Sequence, residues 1–239
     1  HVAAPLPASS ELVRLRALLA AAEERDLEPA IRASLAEYAA REAHRCHLYD
    51  EAAALAGLAV DGYRAVGDAA AQARASLTWA EALRFRGHLL AAERVVRDAI
   101  ALRPQSDDAR RASLTRELGE VLFRQGRNDD ALAAVRAAEE SFVRVGDAQG
   151  QAHTLLNIGQ VLFRQGRNDD ALDAFRRADE VYARVGDELG QANASLGIGD
   201  VVLRQGHYGA AIEAFVRADE GYERVGDEFS RANASLSLA

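Results

Sequence analysis

The sequence VLFRQGRNDDAL occupies residues 121–132 and recurs unchanged at residues 161–172, forty positions later. The same interval separates the RVGD tetrapeptides that end at Asp147, Asp187 and Asp227. A fixed period of this length is typical of helical repeat proteins, in which each repeat is one supersecondary unit. The spacing predicts a repeat array over residues 28–239, with units at about 28–68, 69–107, 108–147, 148–187 and 188–227 and a partial unit at 228–239.

Each complete unit reads as two helices joined by short turns. In the unit 148–187, Asp147 is expected to cap the first helix, in which apolar residues follow at helical spacing. Gly166 is expected to end that helix, Asn168 to cap the second helix and Gly186 to close it. Such short turns make neighbouring helices antiparallel. Residues 1–27 are predicted to form an N-terminal segment with one capping or half-repeat helix.

Small residues recur at fixed positions within the units. Each complete unit has Gly in the first helix, Ala twelve positions later, a bulky apolar residue after four more and Ala after a further three: Gly119, Ala131, Val135 and Ala138; Gly159, Ala171, Phe175 and Ala178; Gly199, Ala211, Phe215 and Ala218. Glycine inside a helix costs about 1 kcal/mol relative to Ala. Its repeated use at one position therefore predicts that two helices approach closely there.

This pattern resembles the signature of the tetratricopeptide repeat (TPR) family, and Pro104 matches its helix-ending proline in the second unit. The forty-residue period is longer than the usual period of about 34. It resembles the variety found in kinesin light chains, Pins-like adaptors and bacterial TPR signalling proteins. The resemblance implies an all-α fold, a right-handed α-solenoid of antiparallel helical hairpins (a TPR superhelix), with a concave groove lined mainly by the first helix of each unit.

By position in the family, the resemblance also implies which side chains line a peptide-binding groove. In the later units these are Arg116, Glu120, Phe123, Arg124, His153, Leu156, Asn157, Gln160, Phe163, Arg164, Asn193, Leu196, Asp200, Arg204 and Asn233. The degenerate units would add Arg74, Leu77, Glu81, Arg84 and Phe85, with Glu37, Arg41, His44 and Arg45 before them. Apolar side chains would supply contact area, while Arg and Asn would bind the carboxylates and backbone of a peptide.

Three of these residues, Arg124, Arg164 and Arg204, recur one repeat apart and allow two interpretations. In the functional one they bind acidic side chains or a C-terminal carboxylate of the ligand. In the structural one, Glu120 and Asp200 lie four residues earlier and pair with Arg124 and Arg204, which stabilises a helix by a few tenths of a kcal/mol. Arg164 has no acidic residue at that spacing and is the strongest candidate for ligand binding.

The Asn ladder with which related adaptors hold a peptide backbone is not reproduced in this sequence. Asn157 stands at the corresponding position in one unit, but Glu117 and Gly197 occupy it in the neighbouring units. The ligand type of those adaptors therefore does not transfer directly.

Composition excludes several other functions. The chain has 239 residues, a net charge of −8 and 49% hydrophobic residues, which excludes a disordered chain and disfavours nucleic acid as a partner. One Cys excludes a disulfide framework and fits a reducing compartment, and no apolar run reaches the ~20 residues of a membrane span. We therefore expect a cytoplasmic protein that does not bind membranes.

No catalytic, metal or cofactor site is predicted. His44, Cys46 and His47 have a metal-like spacing, but a structural zinc site needs four ligands within tetrahedral reach. No nucleophile–base pair recurs in register with a pocket.

The leading hypothesis is a non-enzymatic protein–protein interaction module that binds a peptide or a partner domain in its groove, as part of a larger bacterial protein. Two alternatives remain open at this stage. The chain is either the regulatory or sensor arm of a signalling enzyme or transcription activator whose effector domain lies outside this segment, or a module that self-associates through its partial last repeat.

Overall fold

The computed structural model describes residues 9–102 and 108–237, except for the side chain of Asn233. Pro104 of the repeat signature therefore lies outside the described residues. Within them the chain forms twelve helices and no strand, which confirms the all-α fold class: α1 (Ser10–Glu24), α2 (Pro29–Arg45), α3 (Tyr49–Val66), α4 (Ala69–Phe85), α5 (Leu89–Ala101), α6 (Asp108–Arg124), α7 (Asn128–Val145), α8 (Ala148–Arg164), α9 (Asn168–Val185), α10 (Glu188–Arg204), α11 (Tyr208–Val225) and α12 (Glu228–Ser237).

The helices belong to two compact units, one up to residue 125 with α1–α6 and one from residue 126 with α7–α12. Within each unit, consecutive helices pack against each other as hairpins. Alternate helices also touch, α2 with α4 and α4 with α6 in the first unit, and α8 with α10 in the second. These contacts place the first helices of successive repeats side by side within a unit.

Aspartate and glycine set the helix boundaries, as the sequence predicts. Asp147 Oδ1 accepts a hydrogen bond from the Gly150 amide at 2.9 Å, and Asp187 Oδ1 accepts one from Gly190 at 2.8 Å. Both aspartates are N-caps, which satisfy amides that have no partner inside the helix. Gly186 closes α9 with φ 75°, a left-handed conformation that side chains disfavour.

The predicted capping role of Asn168 is wrong. Asn168 is the first residue of α9, and the N-cap is Arg167, which makes no side-chain cap bond. Arg167 instead pairs with Asp170 one turn into the helix at 2.5 Å. The Asn168 side-chain oxygen accepts a hydrogen bond from Arg204 of the following repeat, so it is used between repeats rather than within its own helix.

Glycine in the first helices makes room for an aromatic ring, which confirms the close approach expected from the repeat register. A Cβ atom on Gly159 would lie 2.6 Å from the Phe175 ring, and one on Gly199 would lie 2.4 Å from the Phe215 ring. Both rings are almost fully buried. The glycines therefore allow the first and second helix of one repeat to pack around a large side chain.

A hydrogen-bonded ladder links neighbouring repeats of the second unit at their turns. The Gln165 side-chain amide donates to Asp129 Oδ1, and that of Gln205 donates to Asp169 Oδ1, each at 2.8 Å. The recurring Gln-Gly turn and the acidic start of the second helix supply its donor and its acceptor, one repeat apart. The repeated dodecapeptide thus encodes a contact between repeats as well as a hairpin.

Candidate peptide-binding groove

The predicted groove residues of the second unit lie on α8, α10 and α12. His153, Gln160, Arg164 and Arg204 are exposed, whereas Leu156, Asn157, Phe163, Asn193, Leu196 and Asp200 are half-buried. The side chain of Asn233 lies outside the described residues. Because α8 and α10 pack side by side, their side chains form one surface that mixes apolar and polar groups.

Two aromatic residues of the second helices support this surface from behind. The Tyr222 hydroxyl donates to Asn193 Oδ1 at 2.8 Å, and burial raises the pKa of Tyr222 to about 12. The Tyr182 ring meets the His153 imidazole edge to face, with the ring centroids 5.5 Å apart. Contacts with these two buried tyrosines therefore fix the orientation of the Asn193 and His153 side chains.

The expected pair between Asp200 and Arg204 does not form. Arg204 donates to the Phe163 carbonyl and, at 2.5 Å, to Asn168 Oδ1, and its guanidinium carbon lies 3.5 Å from the centroid of the Phe163 ring. These partners belong to the preceding repeat and hold the guanidinium away from its own helix. Burial raises the pKa of the Asp200 carboxyl, against the opposing charge of Arg204.

In the first unit, the pair expected between Glu120 and Arg124 forms. Arg124 Nε lies 3.1 Å from Glu120 Oε1, one turn earlier on α6. Glu120 also lies 3.7 Å from Arg84 Nη1 on α4. Arg124 is thus paired within the protein, with a carboxylate that Arg84 also approaches.

A buried ion pair lies beside Glu120 and was not predicted from the sequence. Arg84 Nε lies 2.7 Å from Glu117 Oε1, and the two side chains are only 9% and 0% exposed. Burial raises the pKa of the Glu117 carboxyl to about 7, although the neighbouring Arg84 charge opposes the shift. Removing either partner would leave the other charge buried alone, which is far more costly than losing a surface pair.

Glu37 on α2, one position earlier in its repeat than Glu117, is likewise bound internally. It is 1% exposed, accepts a hydrogen bond from Arg74 at 2.6 Å and accepts another from the Tyr63 hydroxyl at 2.8 Å. Where adaptors carry an Asn that faces a peptide, Glu117 of this chain therefore holds two of its own helices together through Arg84. The only sequence signal was Glu117 itself, at a position where the next two units have the neutral residues Asn157 and Gly197.

The predicted absence of a metal site stays a prediction. In the described parts of the chain, no three His, Cys, Asp or Glu side chains are grouped as metal ligands would be. His47 Nδ1 lies 2.7 Å from the Tyr49 hydroxyl, and His44 packs edge to face against Tyr49 and Phe85. Over the same residues, no helix combines the length and the apolar character that a bilayer crossing requires.

Together the hairpins and the side-by-side first helices define an all-α helical-repeat protein. A model of the tetratricopeptide repeat matches residues 110–182 and 151–224. This match identifies residues 110–224 as tetratricopeptide repeats, which agrees with the forty-residue register and the fold. No curated protein matches its sequence significantly.

Several solved structures share the fold of this chain. Aspartyl phosphate phosphatase F from Bacillus subtilis superposes with a TM-score of 0.75 at 16% identity, over 92% of this chain and 58% of that one. The Rap conjugation gene regulator of the plasmid pLS20, in complex with the Phr peptide, gives 0.73 at 19% identity, over 86% and 57%. This chain thus spans less than two thirds of either protein.

A putative kinesin light chain from Podosopora anserina with TPR-like repeats gives a TM-score of 0.66 at 12% identity, over 84% of this chain and 99% of that one. At such identities the likeness concerns the fold alone.

Proposed function

We propose that this chain is a non-enzymatic, cytoplasmic protein-interaction module that binds a peptide on the face formed by α8 and α10. The observation that carries the proposal is the surface itself. It offers half-buried Leu156, Phe163 and Leu196 beside polar groups that can pair with a peptide backbone. Extended or helical peptides are commonly held by such a combination of apolar area and oriented polar side chains.

Arg164 is the residue that we propose to bind an acidic side chain or a C-terminal carboxylate of the ligand. Its side chain is exposed on α8, beside the half-buried Phe163. Arginine is suited to this task because its planar guanidinium can bind a carboxylate with two parallel hydrogen bonds. The Rap regulator noted above was solved with a peptide, which supports the same kind of ligand here. A bacterial regulatory protein of which this chain is one part fits the same comparison.

The test begins with selection of peptides that bind the full chain from a random displayed library, followed by fluorescence anisotropy with the best binder. Arg164→Glu is expected to weaken binding at least about tenfold, because a charge-assisted contact of roughly 1.5–3 kcal/mol is replaced by repulsion. Arg176→Glu on the exposed side of α9 is the matched control and should bind as the parent does. Equal affinity of the two variants would remove Arg164 from the site, and failure to select any peptide would remove the proposal.

Self-association is the second candidate, and a specific surface favours it. Tyr208 and Ile212 on α11 are 69% and 55% exposed, and Phe229 on α12 is 80% exposed. Leu132, two repeats before Ile212 in the same register, is only 8% exposed because neighbouring helices cover it. Light scattering over a range of concentrations tests this candidate: a mass that rises with concentration and falls back in Ile212→Glu supports it, and a constant monomer mass rejects it.

A further inference from the structure

A small polar pocket lies between α9, α10 and α11 in the second unit. Its volume is about 160 Å³, several times the roughly 30 Å³ that one water molecule takes up in the liquid. Gln191 and Ser195 line the pocket from α10. Each is two positions from Asn193, which corresponds to about half a turn around the helix. The pocket is therefore on the other side of α10 from the proposed peptide face, and either site can exist without the other.

The preceding repeat shows how the same junction is closed when its side chains are long enough. There, Glu139 Oε1 on α7 accepts a hydrogen bond from Arg177 on α9 at 3.3 Å and another from Gln151 on α8 at 3.4 Å. One carboxylate thus links three helices. It occupies the space between a guanidinium and a side-chain amide, both of which donate to it.

One repeat later, smaller side chains leave this junction open. Forty positions on, three equivalent residues are shorter: Asp179 in place of Glu139, Ser195 in place of Leu155 and Gly221 in place of Val181. Leu155 and Val181 are 1% and 7% exposed, so both fill buried space in their own repeat. The three shorter residues all line the pocket. The pocket therefore follows from the loss of side-chain volume at three repeat positions.

The polar groups of the pocket have hydrogen-bonding capacity that the protein does not use. Among the residues that the structure describes, the Arg217 guanidinium pairs with no carboxylate, although Arg177 pairs with Glu139 one repeat earlier. The Gln191 side chain likewise makes no hydrogen bond with any described residue. Ser195 is only 6% exposed, and its hydroxyl has no partner within the described part of the chain but remains open to the pocket. A buried hydroxyl without a partner is unfavourable, so it calls for one from outside the chain.

The lining carries both signs of charge, which restricts the chemistry of a ligand. Asp179 and Glu220 contribute carboxylates, and Arg217 and Arg224 contribute guanidiniums. An anion would meet the Asp179 carboxylate, and a cation would meet the Arg217 guanidinium. A neutral group with a donor and an acceptor side by side suits both, because it can donate to Asp179 and accept from Arg217. A primary carboxamide is such a group.

From this arrangement we propose that the pocket binds a primary carboxamide. The amide nitrogen of the ligand donates to Asp179, and its oxygen accepts from Arg217 and from the Gln191 amide. The ligand thereby bridges the gap that the longer Glu139 side chain spans one repeat earlier. The carboxamide is carried by an asparagine or glutamine side chain of a protein partner, or by the free amino acid.

The test is a nuclear magnetic resonance titration of the full chain, following the backbone amide signals of Gln191 and Ser195. The probe is Nα-acetyl-glutamine methylamide, and the corresponding glutamate and methionine derivatives are controls with the same backbone amides but no carboxamide side chain. We expect saturable shifts with a Kd of about 1–10 mM for the glutamine probe and at least about tenfold weaker binding of both controls. A parallel titration with free glutamine distinguishes the sources: tighter binding than that of the probe indicates the free amino acid, and equal or weaker binding indicates a side chain of a protein partner.

Two variants and a matched control locate the effect. Asp179→Glu lengthens the carboxylate so that it reaches Arg217, and Ser195→Leu fills the pocket; each restores the residue that the preceding repeat has at that position. Both should weaken binding of the glutamine probe at least about tenfold. Asp173→Glu makes the same change as Asp179→Glu at a 72% exposed side chain of α9 and should leave the Kd unchanged. The proposal is overturned if the glutamine probe causes no saturable shift, which would leave the pocket to water alone, if either control probe binds equally well or if Asp179→Glu binds like the parent.

Discussion

The glycines of the first helices offer the sharpest test of how this fold is held together, and Gly159→Ala is the most informative substitution. Alanine favours a helix over glycine by about 1 kcal/mol, so propensity alone predicts a more stable protein. The added Cβ atom, however, would lie 2.6, 2.7 and 2.9 Å from three carbons of the Phe175 ring. No real Cβ atom tolerates such distances, so the ring or the helix must move.

The Phe175 ring has little space into which it can move. It is 3% exposed, and a Cβ atom on Gly197 of the next first helix would lie 2.7 Å from the same ring. The ring is thus held between two glycine positions. Overpacking costs about 1–3 kcal/mol, and this confinement places Gly159→Ala near the upper end. After subtraction of the propensity gain, we expect a net loss of about 2 kcal/mol in the free energy of unfolding.

The assay is urea unfolding of the full chain, followed by circular dichroism, with Gly209→Ala as the matched control. Gly209 lies in the first turn of α11, and a Cβ atom added to it would have nothing within 4 Å, so its variant should be equally stable or up to about 1 kcal/mol more stable. A double variant that adds Phe175→Leu should recover stability relative to Phe175→Leu alone, because the smaller residue leaves room for the methyl group. A Gly159→Ala protein as stable as the Gly209→Ala protein would refute this packing argument.

Two further substitutions test the ion pair and the helix cap. The pKa of Glu117 is about 7 in the folded protein and near 4.5 in the unfolded chain, so the folded state binds more protons between these pH values. The free energy of unfolding should therefore fall as the pH rises from about 5 to 8. Urea titrations at about pH 5 and pH 8 should show a smaller difference for Glu117→Gln, and an unchanged difference would contradict this expectation. Asp187→Ala should lower the free energy of unfolding by about 1 kcal/mol. It should also speed hydrogen exchange of the Gly190 amide, since that amide loses its acceptor. Unaltered exchange would show that the cap is unimportant.

Much of the fold follows from the sequence because its signals are local. Asp147 and Gly186 set helix boundaries through contacts within a few residues, and Gly159 marks a close approach inside one hairpin. Asn168 shows where this reasoning fails. Its residue type favours an N-cap, but its actual partner is Arg204, thirty-six positions away, and local preference carries no information about such a partner.

The candidate site was harder to predict for the same reason. The i,i+4 rule correctly paired Arg124 with Glu120. The same rule failed for Arg204 and Asp200, since the preceding repeat offers a carbonyl, an amide oxygen and an aromatic face together. The groove residues themselves rest on family position, and their role in binding stays a prediction.

The pairing of Arg204 also shows how repetition makes equivalent residues unequal. Its two partner residues, Phe163 and Asn168, both belong to the dodecapeptide at residues 161–172, so that segment supplies a binding site for the arginine of the next repeat. Arg124 follows a degenerate repeat in which Arg84 and Leu89 occupy the positions of Phe123 and Asn128, and it pairs on its own helix instead. The sequence of the preceding repeat therefore decides which partners a repeated arginine such as Arg204 finds within the protein.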